Sequence, residues 1–124
     1  MGKPTVAVIG ASKDPSKYGN KSVRAHLMKG YEVFPVNPKE AEIEGLKVYR
    51  SVAEIPVDLD RVTVYLPPAV GIKVLEEIAK KGTRELFINP GSESEELVAK
   101  AKALGLKPLL ACSIVDIGLT PESV

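Results

Sequence analysis

Five short apolar runs, most of them separated by helix-like segments, constrain the fold more than any other feature of the chain. They are residues 5–10 (TVAVIG), 32–36 (EVFPV), 61–66 (RVTVYL), 85–89 (ELFIN) and 107–112 (KPLLAC). Each is rich in Val, Ile or Leu and bounded by Gly, Pro, Asn or Lys. The runs are continuous rather than alternating, which fits strands covered on both faces, as in a parallel sheet. Between them, residues 21–29, 69–81 and 93–104 carry helical apolar spacing: Val23, Leu27 and Met28; Val70, Val74, Leu75 and Ile78; Leu97, Val98, Ala101 and Leu104. Gly30, Gly82 and Gly105 end these segments, where a left-handed C-cap carries no side-chain clash. Ser92-Glu93-Ser94-Glu95 fits a capping box opening the last helix. The link from residue 36 to residue 61 is longer, holding Gly45, Pro56 and one short helix around 51–54.

The order β-α-β-(loop, short helix)-β-α-β-α-β, with right-handed crossovers, gives an α/β fold: a single Rossmann-like, doubly wound domain on a five-stranded parallel sheet. At 124 residues there is material for one such domain and its core. We assign residues 1–112 to the domain and 113–124 to a C-terminal tail, which docks either on the body or on a second subunit.

Charge excludes some partners. Lys and Arg total 17 against 16 Asp and Glu, a net charge of +1 with no drive toward nucleic acid or an anionic membrane. No apolar run approaches the ~18 residues of a membrane span. The start lacks the pattern of a secretory signal, and Val6 stands where a myristoylation motif needs Ser or Thr. One cysteine and one histidine leave no disulfide framework and no Cys- or His-rich metal site. A cytoplasmic location is expected.

In this architecture ligands bind beyond the carboxyl ends of the strands. After the first strand comes a loop, residues 10–20, in which Gly10 permits close backbone approach. Ser12, Lys13 and Lys17 add a hydroxyl and positive charge near a helix start, a place suited to phosphate. The plainer reading is a strand-to-helix turn that needs small residues. The loop departs from G-x-G-x-x-G, with Ser12 and Pro15 in place of the later glycines. The second strand ends in Asn37-Pro38-Lys39, not in the acid that holds a free ribose hydroxyl. Lys39 suits a phosphorylated ribose, as in NADP or coenzyme A, and is otherwise a solvated lysine. Pro67 and Pro68, after Tyr65-Leu66, form a stiff apolar wall suited to an adenine ring, or simply a rigid turn.

Taken together these stretches resemble the coenzyme A-binding domain family, in particular the nucleotide-binding domains of ADP-forming acyl-CoA synthetases and of the succinyl-CoA synthetase alpha chain. The resemblance rests on GASKDPSKYGNKSV at 10–23, VFPVNPKEAEIEGLKVYRSVAEIP at 33–56, VYLPPAVGIKVLEEIAKKG at 64–82 and INPGSE at 88–93. It implies a single Rossmann-like domain with coenzyme A as its ligand. By this resemblance Gly10, Ala11, Ser12, Lys17, Gly19 and Asn20 surround the pyrophosphate. Val36, Asn37, Pro38 and Lys39 flank the adenosine and its 3′-phosphate. Tyr65, Leu66, Pro67 and Pro68 line the adenine or ribose, and Asn89, Pro90 and Gly91 the pantetheine.

The synthetases relay phosphate through a histidine in a second domain. The histidine here, His26, falls inside the first helix and reads as a surface or half-buried residue. No Ser-His-Asp arrangement is present, and Gly10-Ala11 replaces the acids of a receiver domain. Glu76-Glu77 and Glu95-Glu96 read as solvated helix faces, and Cys112 as a small buried residue closing the fifth strand. The expected function is therefore a small stand-alone coenzyme A or acyl-CoA binding protein, a carrier or regulator and not an enzyme. Self-association or a protein partner is left open. The alternatives are an NADP-binding, oxidoreductase-like module that needs a partner, and an interaction module with a vestigial nucleotide cleft.

Overall fold

The computed structural model describes residues 2–124. Strand β1 (Thr5–Ile9) is buried along its whole length. It is followed by α1 (Tyr18–Met28), β2 (Glu32–Val36), a small hairpin of β3 (Glu42–Ile43) and β4 (Leu46–Lys47), and a 3-10 turn at Val52–Glu54. Strand β5 (Leu59–Val64), α2 (Pro68–Lys81), β6 (Thr83–Ile88), α3 (Glu95–Ala103), β7 (Pro108–Leu110) and α4 (Ser113–Asp116) complete the main elements. The sheet has five strands in the order β2-β1-β5-β6-β7, every pair parallel. Strand order reverses between β1 and β5, where Ile9 stands opposite Val64 on one side and Val36 on the other.

The continuous apolar character of β1 has a simple cause. Ala7 and Ile9 face one cluster, with Val62, Val64, Leu75, Ile78 and Leu97 under α2 and α3. Val6 and Val8 face the other, with Val23 of α1, Val33 and Ile43. Both faces are dry, so alternation is absent.

On the α1 side, strands β5 and β6 present a polar surface instead: Arg61, Thr63 and Asn89 are all buried. The segment after Cys112 covers it. Ser113 and Ile114 are fully buried against the body, and Asp116 accepts from Arg61 at 2.7 Å. Glu85 is the second partner of Arg61 at 3.0 Å, and the Phe87 ring lies 4.4 Å from its guanidinium carbon. Burial opposes the charge on Arg61, but Asp116, Tyr31 and Glu85 more than offset it and hold its pKa above the ordinary value. The tail docks on its own body, answering one of the two expectations for it.

Several local expectations need correction. The first helix begins at Tyr18, three residues earlier than its apolar spacing implied, because the Asp14–Ser16 turn delivers the chain directly into it. Helix α3 is capped by Ser94, whose hydroxyl accepts from Leu97 N, and not by Ser92. Strand β7 stops at Leu110, so half-buried Cys112 lies beyond the strand. The β3–β4 hairpin was not expected. Its turn puts both Glu44 (φ 51°) and Gly45 (φ 75°) in the left-handed region, which suits a two-residue hairpin loop.

His26 is fully buried rather than surface or half-buried. Its Nδ1 lies 2.8 Å from the Ser22 carbonyl oxygen, so that nitrogen carries the proton, and Nε2 has no partner among the described residues. Tyr31 meets the ring edge-on at 4.9 Å. Burial is the main reason its pKa falls to about 4; the Ser22 carbonyl opposes the fall, Arg61 adds to it and Asp116 opposes it.

Candidate functional site

At the β1–β5 switch point the strand ends open into a cleft of about 770 Å³. Its floor begins at Gly10. This residue has φ +88°, and a Cβ there would sit 3.1 Å from the Tyr65 carbonyl carbon, so glycine is required both by conformation and by contact. Gly19, in the first turn of α1, is pressed harder still: a Cβ would lie 2.2 Å from the Gly10 carbonyl oxygen. This close approach of helix to loop directs the helix start at the cleft.

The loop is held from behind. Asn37 donates to the Ala11 carbonyl at 2.9 Å, and Asn20 donates to that of Ser12 at 2.8 Å. Arg24 ties Asn20 (2.7 Å) to the Pro15 carbonyl (2.8 Å). Asp14 accepts from the Ser16 hydroxyl and N–H, which hold its carboxyl below the usual range. With the carbonyls drawn backward, the N–H groups of Ala11, Ser12, Tyr18 and Gly19 have no acceptor among the described residues. Such a group of donors at a helix start favours an anion.

Thirteen of the seventeen residues expected from the sequence line the cleft: Gly10, Ala11, Ser12, Lys17, Gly19, Val36, Asn37, Pro38, Tyr65, Leu66, Pro67, Pro90 and Gly91. The other four stand outside the lining. Asn20 is the strut just described. Pro68 is the first residue of α2. Lys39 is exposed, its N–H bound to Asn37 Oδ1 at 2.7 Å in the turn that follows β2. Asn89 is buried, donating to Thr63 Oγ1 (2.6 Å) and the Val64 carbonyl (2.9 Å) while accepting from Ser113 N at 2.9 Å.

Ser113 also bridges Thr63 and Tyr65, with oxygen–oxygen distances of 2.8 and 2.9 Å. Burial pushes the Tyr65 hydroxyl up, with the Ser113, Ser22 and Thr63 hydroxyls opposing. It stays neutral and tied inward. The tail thus supports two strand ends that carry the cleft.

Sequence reasoning missed one wall. Arg50, Ser51 and Val52, together with Val70, Val74 and Glu77 of α2, line the cleft. From the sequence, Val70 and Val74 belong to the apolar face of the helix and Glu77 to a solvated one; Val70 is in fact 46% exposed, and all three line the cleft. Arg50 carried no local signal, because its place depends on Tyr49 bridging to Val36. Among cationic groups of the first loop, Lys13 pairs with Glu40 at 3.7 Å, while Lys17 makes no ion pair among the described residues.

Comparison with known proteins gives the family and the fold. Residues 4–117 match the CoA binding domain family. The chain is 35% identical to the alpha subunit of an ADP-forming acetate–CoA ligase I of Pyrococcus furiosus, over 97% of this chain and 29% of that protein. It is 30% identical to the uncharacterized protein YneT of Bacillus subtilis, covering 81% of this chain and 74% of that one. Among solved structures, a conserved hypothetical protein from Pyrococcus furiosus superposes with TM-score 0.80 at 42% identity, covering 94% of this chain and 99% of its own. The dinucleotide-forming acetyl-coenzyme A synthetase 1 of Ca. Korarchaeum cryptofilum superposes with TM-score 0.75 at 33% identity, covering 89% of this chain and 26% of that one. The chain spans 13–29% of the length of the first ADP-forming ligases it matches. On the family match and these identities, the chain belongs to the CoA-binding domain family.

Proposed function

We propose that the protein binds coenzyme A or an acyl-CoA in the switch-point cleft, as a cytoplasmic carrier or regulatory module without a catalytic site of its own. One observation carries the reading. The loop after β1, with its carbonyls drawn back and its N–H groups free, faces an apolar wall of Leu66, Pro67 and Val70 across the same cleft. A pyrophosphate is met by the N–H groups and Lys17, and an adenine ring by the apolar wall. The pantetheine arm leaves past Pro90 and Gly91.

The absence of chemistry is argued from the lining. Its titratable groups are Lys17, Tyr18, Arg50, Tyr65 and Glu77, and Tyr65 is neutral and bound to Ser113. This set offers no nucleophile paired with a base. The similarity to ligases is also confined to a fraction of their length.

Calorimetric titration of the purified protein with CoA, acetyl-CoA and NADPH tests the reading. Saturable binding of CoA or acetyl-CoA, with no heat from NADPH, is expected. Binding of NADPH alone would move the assignment to a dinucleotide, and binding of none would make the cleft vestigial.

A further inference from the structure

The sequence points to Lys39 as the reader of a phosphorylated ribose, but the fold carries a different cation to that place. In doubly wound sheets, the residue just beyond the second strand lies beside the ribose of a nucleotide bound at the first loop. Lys39 follows β2 in sequence, yet it stands outside the cleft lining, in a turn where Asn37 Oδ1 accepts from the N–H groups of both Lys39 (2.7 Å) and Glu40 (3.2 Å) and Glu40 pairs with Lys13 at 3.7 Å. Another segment takes its place. Tyr49 N donates to the Pro35 carbonyl at 2.9 Å and Asn37 N donates to the Tyr49 carbonyl at 3.0 Å, so residues 49–51 run parallel to the end of β2. The Tyr49 ring packs inward on Phe34, with centroids 5.9 Å apart, and the next residue, Arg50, lines the cleft. The Arg50 guanidinium has no ion pair or hydrogen bond among the described residues. Its only neighbour interaction of that kind is through its backbone N–H, to Glu54 at 3.4 Å. Lys17, the other cation of the lining, stands at the N-cap of α1 beside the free N–H groups of the first loop.

We infer that Arg50 is the specificity-determining residue for the ribose 3′-phosphate, and that it makes the cleft prefer coenzyme A to dephospho-coenzyme A. The inference rests on the proposed ligand. A guanidinium suits a terminal phosphate because it donates two parallel N–H groups to a pair of its oxygens. Its anchor is backbone pairing with the end of β2, which fixes where the charge is delivered.

The test is titration of wild type, R50A, R50K and K39A with CoA and with dephospho-CoA, at two salt concentrations. Wild type is expected to bind CoA more tightly. R50A should lose about 10- to 100-fold for CoA and almost nothing for dephospho-CoA, as expected for one charge-assisted contact. R50K should fall between, because it keeps the charge and loses the fork. Equal losses for both ligands in R50A, a selective loss in K39A instead, or no preference in wild type would each overturn the assignment while leaving CoA binding intact. Failure of wild type to bind CoA would overturn the functional reading itself, and this inference with it. Arg50 is exposed, so its variants should fold; thermal melts beside wild type check this.

Discussion

The contact between Gly19 and Gly10 gives the sharpest test of how the cleft is built. In G19A the new Cβ begins 2.2 Å from the Gly10 carbonyl oxygen, 3.1 Å from its carbon and 3.2 Å from Ala11 Cα. All three neighbours are backbone, so no side chain can swing away. Since real Cβ atoms do not approach within 3.0 Å, helix and loop must part by about 0.8 Å, the difference of 3.0 and 2.2. Overpacking of this kind costs about 1–3 kcal/mol, and the better helix propensity of alanine returns about 1 kcal/mol, leaving a net loss of roughly 0–2 kcal/mol. Binding should suffer more. Hydrogen bonds to an ionised acceptor are worth about 1.5–3 kcal/mol each, and a separation of this size removes at least one. Urea unfolding and calorimetry on the same sample measure the two effects, with affinity for CoA expected to fall at least tenfold in a folded protein. G71A is the control: its Cβ meets side chains and no backbone, Leu97 Cδ1 at 3.3 Å and Val64 Cγ1 and Leu66 Cβ in ordinary contact at 3.8 and 3.9 Å, and its affinity should change little. G19A binding CoA within about threefold of wild type would refute the argument that this approach sets the donor array.

Two further outcomes follow from the buried polar groups. S113A removes the hydroxyl shared by Thr63 and Tyr65 and should cost about 1–3 kcal/mol in urea unfolding; an unchanged midpoint would mean that water replaces it freely. His26 should make stability depend on pH. Its native pKa of about 4 lies below the ordinary 6.5, so the unfolded chain takes up the proton first. Its contribution is complete above about pH 6.5 and is lost as pH falls toward 4. At about 1.4 kcal/mol per tenfold, that loss amounts to roughly 3 kcal/mol. Urea midpoints for wild type and H26Q across this range should converge on acidification, and parallel curves would count against the buried neutral imidazole.

The tail shows how a small sheet uses its last residues. Without Ser113 and Asp116, Arg61, Thr63 and Asn89 would lie on a face of the sheet with few partners. A buried cation that loses a partner is costly, so the tail sets the Asp116 carboxylate and the Ser113 hydroxyl against these groups beside the buried Ile114.

Period and punctuation were enough to read the architecture. Continuous apolar runs mark the strands, dry on both faces at β1 but with Leu109 and Leu110 exposed on the edge strand β7; glycines mark helix ends, and a loop beginning with Gly10 after the first strand marks the site. These are local signals, legible because strand burial, C-cap geometry and backbone approach each restrict residue type within a few positions. Most of the cleft lining came with them, since it belongs to the strand ends themselves. What only the tertiary structure decided depends on contacts distant in sequence. The Tyr49–Val36 bridge brings Arg50 to the cleft, while Lys39, in the turn at Asn37, stays outside its lining. His26 is buried by the fold around it, and the polar face of β5 draws in the tail, 55 residues from Arg61 to Asp116 along the chain. A side chain's environment is set by which elements lie across from it, and no window of neighbouring residues contains that information.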